Sequence, residues 1–140
     1  PREAHKGRPA SMVYHLSQQI KAGKNPRIFK FGEQKRDHIH VKDAVDATIM
    51  AVKAKKSGVY NVGTGTATTF NDLIKHLNKA LGTDSKPEYF DNPYGKTYQA
   101  NTQADTTNAE KFLRFKAKWK IQDAIKDYMG WMDKKLVNFD

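Results

Sequence analysis

The sequence predicts a mixed α/β fold, in which helices alternate with short strands along all 140 residues. Apolar side chains recur every three or four positions in several stretches, which is the spacing of an amphipathic helix. Between those stretches lie short segments rich in β-branched and aromatic residues, and glycines mark most changes of pattern. No internal repeat or low-complexity tract divides the chain, so we expect residues 1–140 to form one lobe.

The apolar spacing predicts four helices. The third has the clearest limits, because Thr69 is a good N-cap, Asp72 can return its hydrogen bond and Gly82 ends the pattern. Thr107 can cap a short additional helix over residues 110–113. The four predicted helices cover about residues 12–22, 42–57, 70–81 and 121–136. Their expected inward-facing residues are Met12, Val13, Leu16, Ile20, Val45, Ile49, Val52, Phe70, Leu73, Ile74, Leu77, Leu81, Ile125, Tyr128, Met129 and Met132.

Four extended segments separate these helices. They are residues 27–31, 38–41, 58–63 and 87–90. The third of them closes on the turn Gly63-Thr64-Gly65, which leads toward a helix as nucleotide-binding loops do. Position 68 is Thr, however, where the dinucleotide fingerprint requires Gly. The turn can therefore contact a ligand or simply reverse the chain.

The chain is strongly basic. It carries 25 Lys and Arg against 15 Asp and Glu, which gives a net charge of +10. Basic domains attract phosphate in nucleic acids, membrane surfaces or nucleotides. The lysines are scattered along the chain. Lys53, Lys55 and Lys56 lie at the C-terminal end of a predicted helix, where cations complement the helix dipole. A concentrated anion site and a generally basic surface both fit this composition.

The composition also excludes some kinds of site. Without cysteine, the chain can form neither disulfides nor cysteine-bound metal centres. No run approaches the roughly 18 apolar residues that span a bilayer, so we expect no membrane partner and a cytoplasmic location. The mean hydropathy of −0.81 fits a lobe that completes its core against another surface, and it also fits a small polar domain.

The first eight residues look like the interior of a longer protein, so we expect a functional loop from a longer chain. His5, Lys6 and Arg8 place three potentially cationic groups around the flexible Gly7. Such a loop suits phosphate binding or proton transfer, because a desolvated lysine can act as an acid or base. A solvated basic loop is the alternative. His15 follows Arg8 by about two helical turns, so the two can share a site.

Two further candidates lie before the second helix. Arg36 can hold a diphosphate with its planar fork of donors, or it can be an ordinary charged residue at the start of a strand. His38 and His40 lie two apart on a predicted strand and therefore face the same side. Two imidazoles can bind zinc, but the spacing supplies no convincing third ligand, so we predict no metal site.

Five segments occur in an order that resembles a known family. They are Pro1-Arg2-Glu3-x-His5-Lys6-Gly7, the helix with His15, Lys35-Arg36-Asp37 with Val41-x-Asp43, Tyr60-Asn61-Val62-Gly63-Thr64-Gly65, and Tyr98-Gln99-Ala100-x-Thr102-Gln103-Ala104-Asp105. Over nearly the whole chain they resemble the C-terminal half of the ADP-L-glycero-D-manno-heptose 6-epimerases, which are extended short-chain dehydrogenases/reductases. These motifs differ in specificity. The Arg-Asp strand and the Asn-Val-Gly-Thr-Gly turn are generic to extended nucleotide-sugar enzymes, whereas His-Lys-Gly followed by the Tyr98 segment is particular to the heptose epimerases.

The resemblance implies a substrate-binding lobe whose N-terminal Rossmann domain would precede residue 1. In this family that domain binds NADP or NAD, and an ADP-sugar lies under the smaller lobe. The enzymes invert C6″ of the heptose by oxidation to a ketone and re-reduction, which is a step of lipopolysaccharide core biosynthesis. The resemblance also implies that the intact protein is a homo-oligomer. Because the glycine-rich loop and the Tyr-x-x-x-Lys pair belong to the other domain, we expect these 140 residues alone to be inactive.

The resemblance also implies roles for single residues. Lys6 corresponds to the second acid/base of the family, close to the nicotinamide. The residues implied to bind substrate are Arg8, His15, Phe29, Lys30, Phe31, Gly32, Arg36 and Tyr98. The sequence departs from the family at Lys30 and Phe31, and at His38 and His40, where the family usually has aromatic residues.

Two other functions stay open. One is another nucleotide-sugar epimerase or dehydratase, for which the Tyr98 segment is the discriminating feature. The other is a stand-alone basic module that binds nucleic acid, although the sequence has no recognised motif and no basic stripe interleaved with aromatic residues. Steep salt-dependent binding to any long polyanion would favour that second function.

Overall fold

A computed structural model describes residues 3–133. Within them the fold is mixed α/β, as the sequence predicts, and no helix there is both long and apolar enough to cross a membrane. The elements in chain order are α1 (Met12–Lys21), β1 (Arg27–Phe29), β2 (Lys35–Asp37), α2 (Val41–Val52), β3 (Ala67–Thr69), α3 (Phe70–Leu81), β4 (Glu88–Phe90), β5 (Asn101–Thr102) and α4 (Ile121–Asp133). Short 3-10 turns lie at Ala4–Lys6 and Gly95–Thr97, and a π-helical turn lies at Ala109–Leu113.

The strands form two small sheets. In the first, β1 pairs in parallel with β4, so that Ile28 lies opposite Tyr89. In the second, β2 is central: it pairs antiparallel with β3 and in parallel with β5. Both edges of β2 are therefore occupied by strands that follow it by 30 or more positions in the chain.

The main core forms where α1 and α4 pack against α3. Leu16, Leu73 and Leu77 are completely buried at its centre, and Ile125 and Met129 of α4 are 2% and 4% exposed. Helix α3 has the predicted limits, since the Thr69 side chain accepts a hydrogen bond from the Asp72 amide and Gly82 ends the helix in the left-handed conformation. The predicted inner faces of α1, α3 and α4 are confirmed, and the predicted end of α4 near Leu136 lies outside the described residues.

The predicted inner face of α2 is wrong. The helix itself forms, from Val41 to Val52, but Val45, Ile49 and Val52 are 50%, 57% and 85% exposed. The face that packs into this lobe instead carries Asp43 and Ala47, each 1% exposed. Periodicity identifies an apolar stripe without showing which body covers it, and within the described residues nothing buries this one.

Two of the predicted extended segments are also wrong. Residues 58–63 form no strand, and Val59 is 85% exposed. The chain instead pairs with β2 a few residues later, through β3, and β5 takes the other edge. Residues 38–40 follow β2 without joining a ladder, and His40 is the N-cap of α2, so the two histidines do not share a strand face. The predicted cap at Thr107 is wrong: the π-helical turn has Asn108 as its N-cap, without a capping side-chain hydrogen bond, and the Thr107 amide donates to Asp105 Oδ1.

Candidate functional site

Four of the predicted site residues, together with Tyr94, form a continuous series of contacts. Arg8 Nη2 donates to the Tyr94 hydroxyl at 3.2 Å. The ring of Phe29 lies edge-on to Tyr94 and to Tyr98, with centroids 6.0 and 5.1 Å apart. The Arg36 guanidinium stacks over the Tyr98 ring at 5.3 Å. We call Arg8, Phe29, Arg36, Tyr94 and Tyr98 the Arg–aromatic cluster.

The two sheets and one turn bring this cluster together. Phe29 ends β1 and its ring also contacts Phe90 of β4, at 4.9 Å. Arg36 is the middle residue of β2, and Tyr94 and Tyr98 flank the 3-10 turn Gly95–Thr97. Residues from four separate segments of the chain thus place two guanidinium groups around three aromatic rings.

The chemistry of the cluster suits an anionic, ring-containing ligand. Arg36 Nη1 donates to the Lys35 carbonyl at 2.8 Å, and a guanidinium has five N–H donors in a fork that matches phosphate oxygens. Tyr98 places an aromatic ring beside that guanidinium. Flat aromatic groups next to cationic forks are the elements that bind a nucleoside and a diphosphate together.

The structure does not bring the rest of the predicted 29–32 turn into the cluster. Lys30 pairs with Asp91 at 3.0 Å, and Phe31 is 72% exposed beside Tyr89. Gly32 has φ of 76°, and a Cβ there would lie 2.1 Å from Asn71 Oδ1. A glycine is needed at that position for backbone and packing reasons alone.

The side chains that hold this turn act on its carbonyls. Asn71 Nδ2 donates to the Phe31 carbonyl at 2.9 Å, and Gln34 Nε2 donates to the Phe29 and Lys30 carbonyls at 3.3 and 3.0 Å. These bonds fix the end of β1, and with it the Phe29 ring. Of the predicted residues 29–32, only Phe29 is part of the Arg–aromatic cluster. The other three form a turn that holds Phe29 in place.

His15 supports the cluster in a similar way. Its Nε2 lies 3.2 Å from the Arg8 carbonyl, and its ring packs edge-on against Tyr14. The prediction that His15 and Arg8 lie close together is confirmed. The contact is to the Arg8 backbone, so His15 fixes the loop that carries the guanidinium.

Lys6 lies at a second place, a cavity of about 370 Å³. Its ammonium is 3.5 Å from Glu3 Oε1, and its side chain is 48% exposed. The polar and charged residues that line this cavity are Glu3, Lys6, Ser11, Asp37, His38, His40 and Tyr128. No member of the Arg–aromatic cluster lines it, so within the described residues the predicted acid/base and the predicted diphosphate ligands occupy separate surfaces.

The histidines of this cavity have different environments. His40 Nδ1 accepts from the Lys42 amide at 3.3 Å, and its Nε2 lies 3.2 Å from Asp127 Oδ2, while the ring stacks on Trp119. Burial lowers the pKa of His38, because desolvation disfavours the imidazolium, and its buried Nε2 has no hydrogen-bond partner among residues 3–133. Among residues 3–133, no three His, Asp or Glu side chains are grouped as metal ligands.

Asp37, next to Arg36, is fully used inside the protein. Its carboxylate accepts from the Thr64 amide, the Thr64 hydroxyl, the Gly65 amide and the Ala104 amide, at 2.5 to 3.2 Å. We call these contacts the Asp37 hub. The hub answers the open question about the Gly63-Thr64-Gly65 turn: its amides bind a carboxylate of the same chain.

Close packing completes this hub. A Cβ on Gly63 would lie 2.4 Å from the Ala104 Cβ and 2.7 Å from Asp37 Oδ2. Gln103 Nε2 donates to the Gly65 carbonyl at 2.6 Å. Three of the sequence motifs, around residues 37, 63 and 104, thus hold one another in place.

Sequence reasoning missed Tyr94, Glu3 and the role of Asp37. Tyr94 is an aromatic residue in the polar segment Asn92-Pro93-Tyr94-Gly95, and this is its one local signal. Glu3 and Asp37 have partners at residues 128 and 104, respectively, and no local pattern indicates such distant contacts.

Sequence comparison assigns the first part of the chain to a known family. Residues 1–63 match the model of the NAD dependent epimerase/dehydratase family. This stretch contains α1, β1, β2 and α2, and it includes Lys6, Arg8 and Arg36.

Solved structures extend the similarity to nearly the whole chain. The Helicobacter pylori ADP-L-glycero-D-manno-heptose-6-epimerase is 37% identical, with a TM-score of 0.85 over 94% of this chain and 40% of its own. A Thermotoga maritima UDP-glucose 4-epimerase, solved with UDP-glucose, is 29% identical, with a TM-score of 0.83 over 96% of this chain and 43% of its own. The Bacillus cereus UDP-glucuronic acid 4-epimerase, solved as a Y149F mutant with a fluorinated sugar nucleotide and NAD, is 25% identical, with a TM-score of 0.79 over 90% of this chain and 41% of its own.

Fold and sequence together define the class as the extended short-chain dehydrogenases/reductases, of which this chain has the smaller, C-terminal lobe. Within that class the chain is similar to nucleotide-sugar epimerases, and its residues 1–63 match the NAD dependent epimerase/dehydratase family. It spans about 40% of the length of the solved relatives that it matches.

Proposed function

We propose that this chain is the substrate-binding part of a nucleotide-sugar epimerase that inverts C6″ of ADP-glycero-manno-heptose. The observation that carries the proposal is the Arg–aromatic cluster, which joins Arg8 and Arg36 to three aromatic rings. The similarity to the Helicobacter pylori heptose epimerase supports ADP-heptose over other sugar nucleotides, because it has the highest identity of the relatives described above. Among those relatives, the others act on UDP-sugars at C4.

In this proposal the two arginines bind the diphosphate. Charge-assisted hydrogen bonds from a guanidinium to phosphate are about twice as strong as neutral ones, and the planar fork fixes orientation as well. Phe29 and Tyr98 then contact a ring of the ligand, and the Tyr94 hydroxyl holds Arg8 in place. The net charge of +10 would assist binding, since it attracts the phosphates of the substrate toward the lobe. His15 and the 30–32 turn act on the backbone that carries these groups.

Lys6 is the proposed acid/base. The Lys6 ammonium is half-exposed and pairs with the Glu3 carboxylate at 3.5 Å. It can therefore turn toward a hydroxyl of a substrate that binds against the surface of this lobe. Its role is to exchange a proton with the oxygen on C6″ as that carbon is oxidised to the ketone and reduced again. The nicotinamide cofactor, NADP or NAD, supplies hydride removal and return when bound by the other half of the enzyme.

The exposed stripe of α2 supports a second half of this kind. Val41, Val45, Ile49 and Val52 recur along one side of the helix and are 48–85% exposed. Val59, which follows α2 in the chain, is a further exposed apolar residue, at 85%. We propose that a cofactor-binding domain covers it in a cytoplasmic homo-oligomer, so that the 140 residues alone give no epimerisation.

Turnover by the complete enzyme tests the function. We define the complete enzyme as this chain joined to its cofactor-binding half. It is expected to convert ADP-glycero-manno-heptose to its C6″ epimer, as followed by NMR, whereas Lys6→Ala lowers kcat far more than it lowers substrate affinity. Preferential epimerisation of UDP-glucose would assign the chain to a sister activity. Turnover by the 140 residues alone would contradict the proposal. A Lys6→Ala variant that loses substrate affinity but keeps the wild-type kcat would contradict it as well.

A further inference from the structure

Glu3 lines the Lys6 cavity and has several polar contacts that the proposed function leaves unused. Its carboxylate accepts from the Ser11 hydroxyl at 2.6 Å, the Ser11 amide at 3.2 Å and the Tyr128 hydroxyl at 2.7 Å. The Lys6 ammonium lies 3.5 Å from the same carboxylate. The Glu3 side chain is 15% exposed, so most of its surface is used by these contacts.

These partners belong to different parts of the lobe. Ser11 is the N-cap of α1, where its hydroxyl also accepts from the Tyr14 amide at 3.2 Å. Tyr128 lies on α4 and is 8% exposed in the main core. Glu3 therefore ties the N-terminal loop to two helices that pack against α3.

The same residue holds Lys6 through the backbone. The Lys6 amide donates to the Glu3 carbonyl at 2.9 Å, which closes the 3-10 turn Ala4–Lys6. Two contacts from one residue thus restrict both the backbone and the ammonium of Lys6. The core on one side and Lys6 on the other are connected by the single Glu3 side chain.

The charge states fit this arrangement. Burial alone would raise the pKa of Glu3, but hydrogen bonds from Ser11 and Tyr128 and the nearby Lys6 ammonium outweigh it and lower that pKa. Burial and the bond to Glu3 raise the pKa of the Tyr128 hydroxyl, so it remains a donor at neutral pH. The Glu3–Lys6 ion pair is 3.5 Å long and its lysine is half-exposed, so it adds little to stability. Its main effect is to fix the position of the Lys6 ammonium.

We propose that Glu3 is a positioning residue for Lys6: its carboxylate, anchored by Ser11 and Tyr128, sets where the Lys6 ammonium stands at the cavity. This inference rests on the proposed acid/base role of Lys6. Proton transfer depends on placement, since a displacement of about 1 Å can cost about a hundredfold in rate. Glu3 does not touch the reacting atoms in this account.

The test compares four forms of the complete enzyme: wild type, Lys6→Ala, Glu3→Gln and the double variant. Glu3→Gln keeps the shape and one acceptor oxygen but removes the charge. It is expected to lower kcat by about tenfold to a hundredfold, with KM within about threefold of wild type. The double variant is expected to match Lys6→Ala, because Glu3 acts only through Lys6. Glu88→Gln, an exposed glutamate paired with Arg27, is the matched control and should behave as wild type.

A second variant covers a folding defect in Glu3→Gln, which melting curves would reveal. Tyr128→Phe keeps the Glu3 charge and the core ring but removes one anchor, and it should lower kcat by a smaller factor with KM unchanged. If kcat of Glu3→Gln and Tyr128→Phe stays at the wild-type value, or if the Glu3 and Lys6 effects simply multiply, the inference is wrong. If Lys6→Ala itself keeps full turnover, the proposed function is wrong, which is a separate outcome.

Discussion

Arg36 and Asp37 are neighbours on β2, and successive strand residues face opposite sides. The Asp37 carboxylate accepts four hydrogen bonds from Thr64, Gly65 and Ala104, so its capacity is used within the lobe. The Arg36 guanidinium stacks on Tyr98 and donates to one carbonyl, and its fork retains donors for a ligand. One charged residue of the pair completes the fold, and the other is suited to bind from outside.

This contrast separates two kinds of information in the sequence motifs. The segments around Asp37, Gly63 and Ala104 contact one another in the Asp37 hub, so their resemblance to extended nucleotide-sugar enzymes reports a shared fold. The Arg–aromatic cluster makes few internal polar contacts, so it is where substrate preference can change without loss of the fold. The predictions below test that separation.

The largest effect is expected at the hub. Asp37→Ala leaves four donors without their acceptor and should lower the free energy of unfolding of the chain by about 3 kcal/mol. Urea unfolding measures this loss. Asp84→Ala, which removes an exposed carboxylate paired with Lys86, is the control and should change stability by under about 1 kcal/mol. A similar loss of stability in Asp37→Ala and Asp84→Ala would show that the Asp37 contacts stabilise the fold no more than an exposed ion pair does.

Gly63→Ala should give the next largest loss. The new Cβ would lie 2.4 Å from the Ala104 Cβ, and relieving that overlap costs about 1–3 kcal/mol. Thermal unfolding reports it. Gly130→Ala is a matched control on α4, where a Cβ meets nothing within 4 Å and helix propensity favours Ala by about 1 kcal/mol. A stabilising Gly63→Ala would show that the hub is loosely packed.

Arg36→Ala should separate binding from stability. The dissociation constant for ADP, measured with the complete enzyme, is expected to rise about tenfold to a hundredfold, because charge-assisted bonds to the diphosphate are lost. Unfolding free energy should change by under about 1 kcal/mol. Arg27→Ala is the control, since Arg27 also stacks on an aromatic ring but pairs with Glu88. Equal weakening of ADP binding in both variants would argue for a diffuse basic surface.

The smallest effect concerns His38, which is next to Asp37 at the Lys6 cavity. Its folded-state pKa is lowered from 6.5 by burial, so the unfolded chain binds more protons below that pH and stability falls as pH falls. His38→Phe removes this dependence. Wild type should lose more stability than the variant between pH 7 and pH 5, and the two curves should run parallel above pH 7. Parallel curves over the whole range would contradict the buried, neutral His38.

Local signals explain which elements the sequence predicts correctly. Thr69, Asp72 and Gly82 lie within or beside α3 and determine its ends by contacts within one turn. The strand predicted at residues 58–63 fails because pairing depends on distant segments, and β3 and β5 already occupy both edges of β2. The apolar stripe of α2 is present in the sequence, but its periodicity does not reveal that it faces out of this lobe.

The candidate site shows the same limit. Arg8, Phe29, Arg36 and Tyr98 were identified through the family resemblance, and the structure brings them together. Tyr94, which links Arg8 to the rings, has no helical or strand pattern that marks it. Lys30 and Phe31 follow Phe29 directly, yet they contact Asp91 and Tyr89 instead of the cluster. Sequence proximity to a site residue is therefore a weak predictor at a tight turn.

The most direct test of the central claim is a calorimetric titration of the complete enzyme with ADP-glycero-manno-heptose. UDP-glucose and a short oligonucleotide serve as competing ligands, and the Arg8→Ala/Arg36→Ala variant is titrated in parallel. The account predicts that the ADP-sugar binds most tightly and that the double variant loses most of this affinity while it keeps its fold. Tightest binding of the oligonucleotide, or unchanged binding of the ADP-sugar by the double variant, would contradict it.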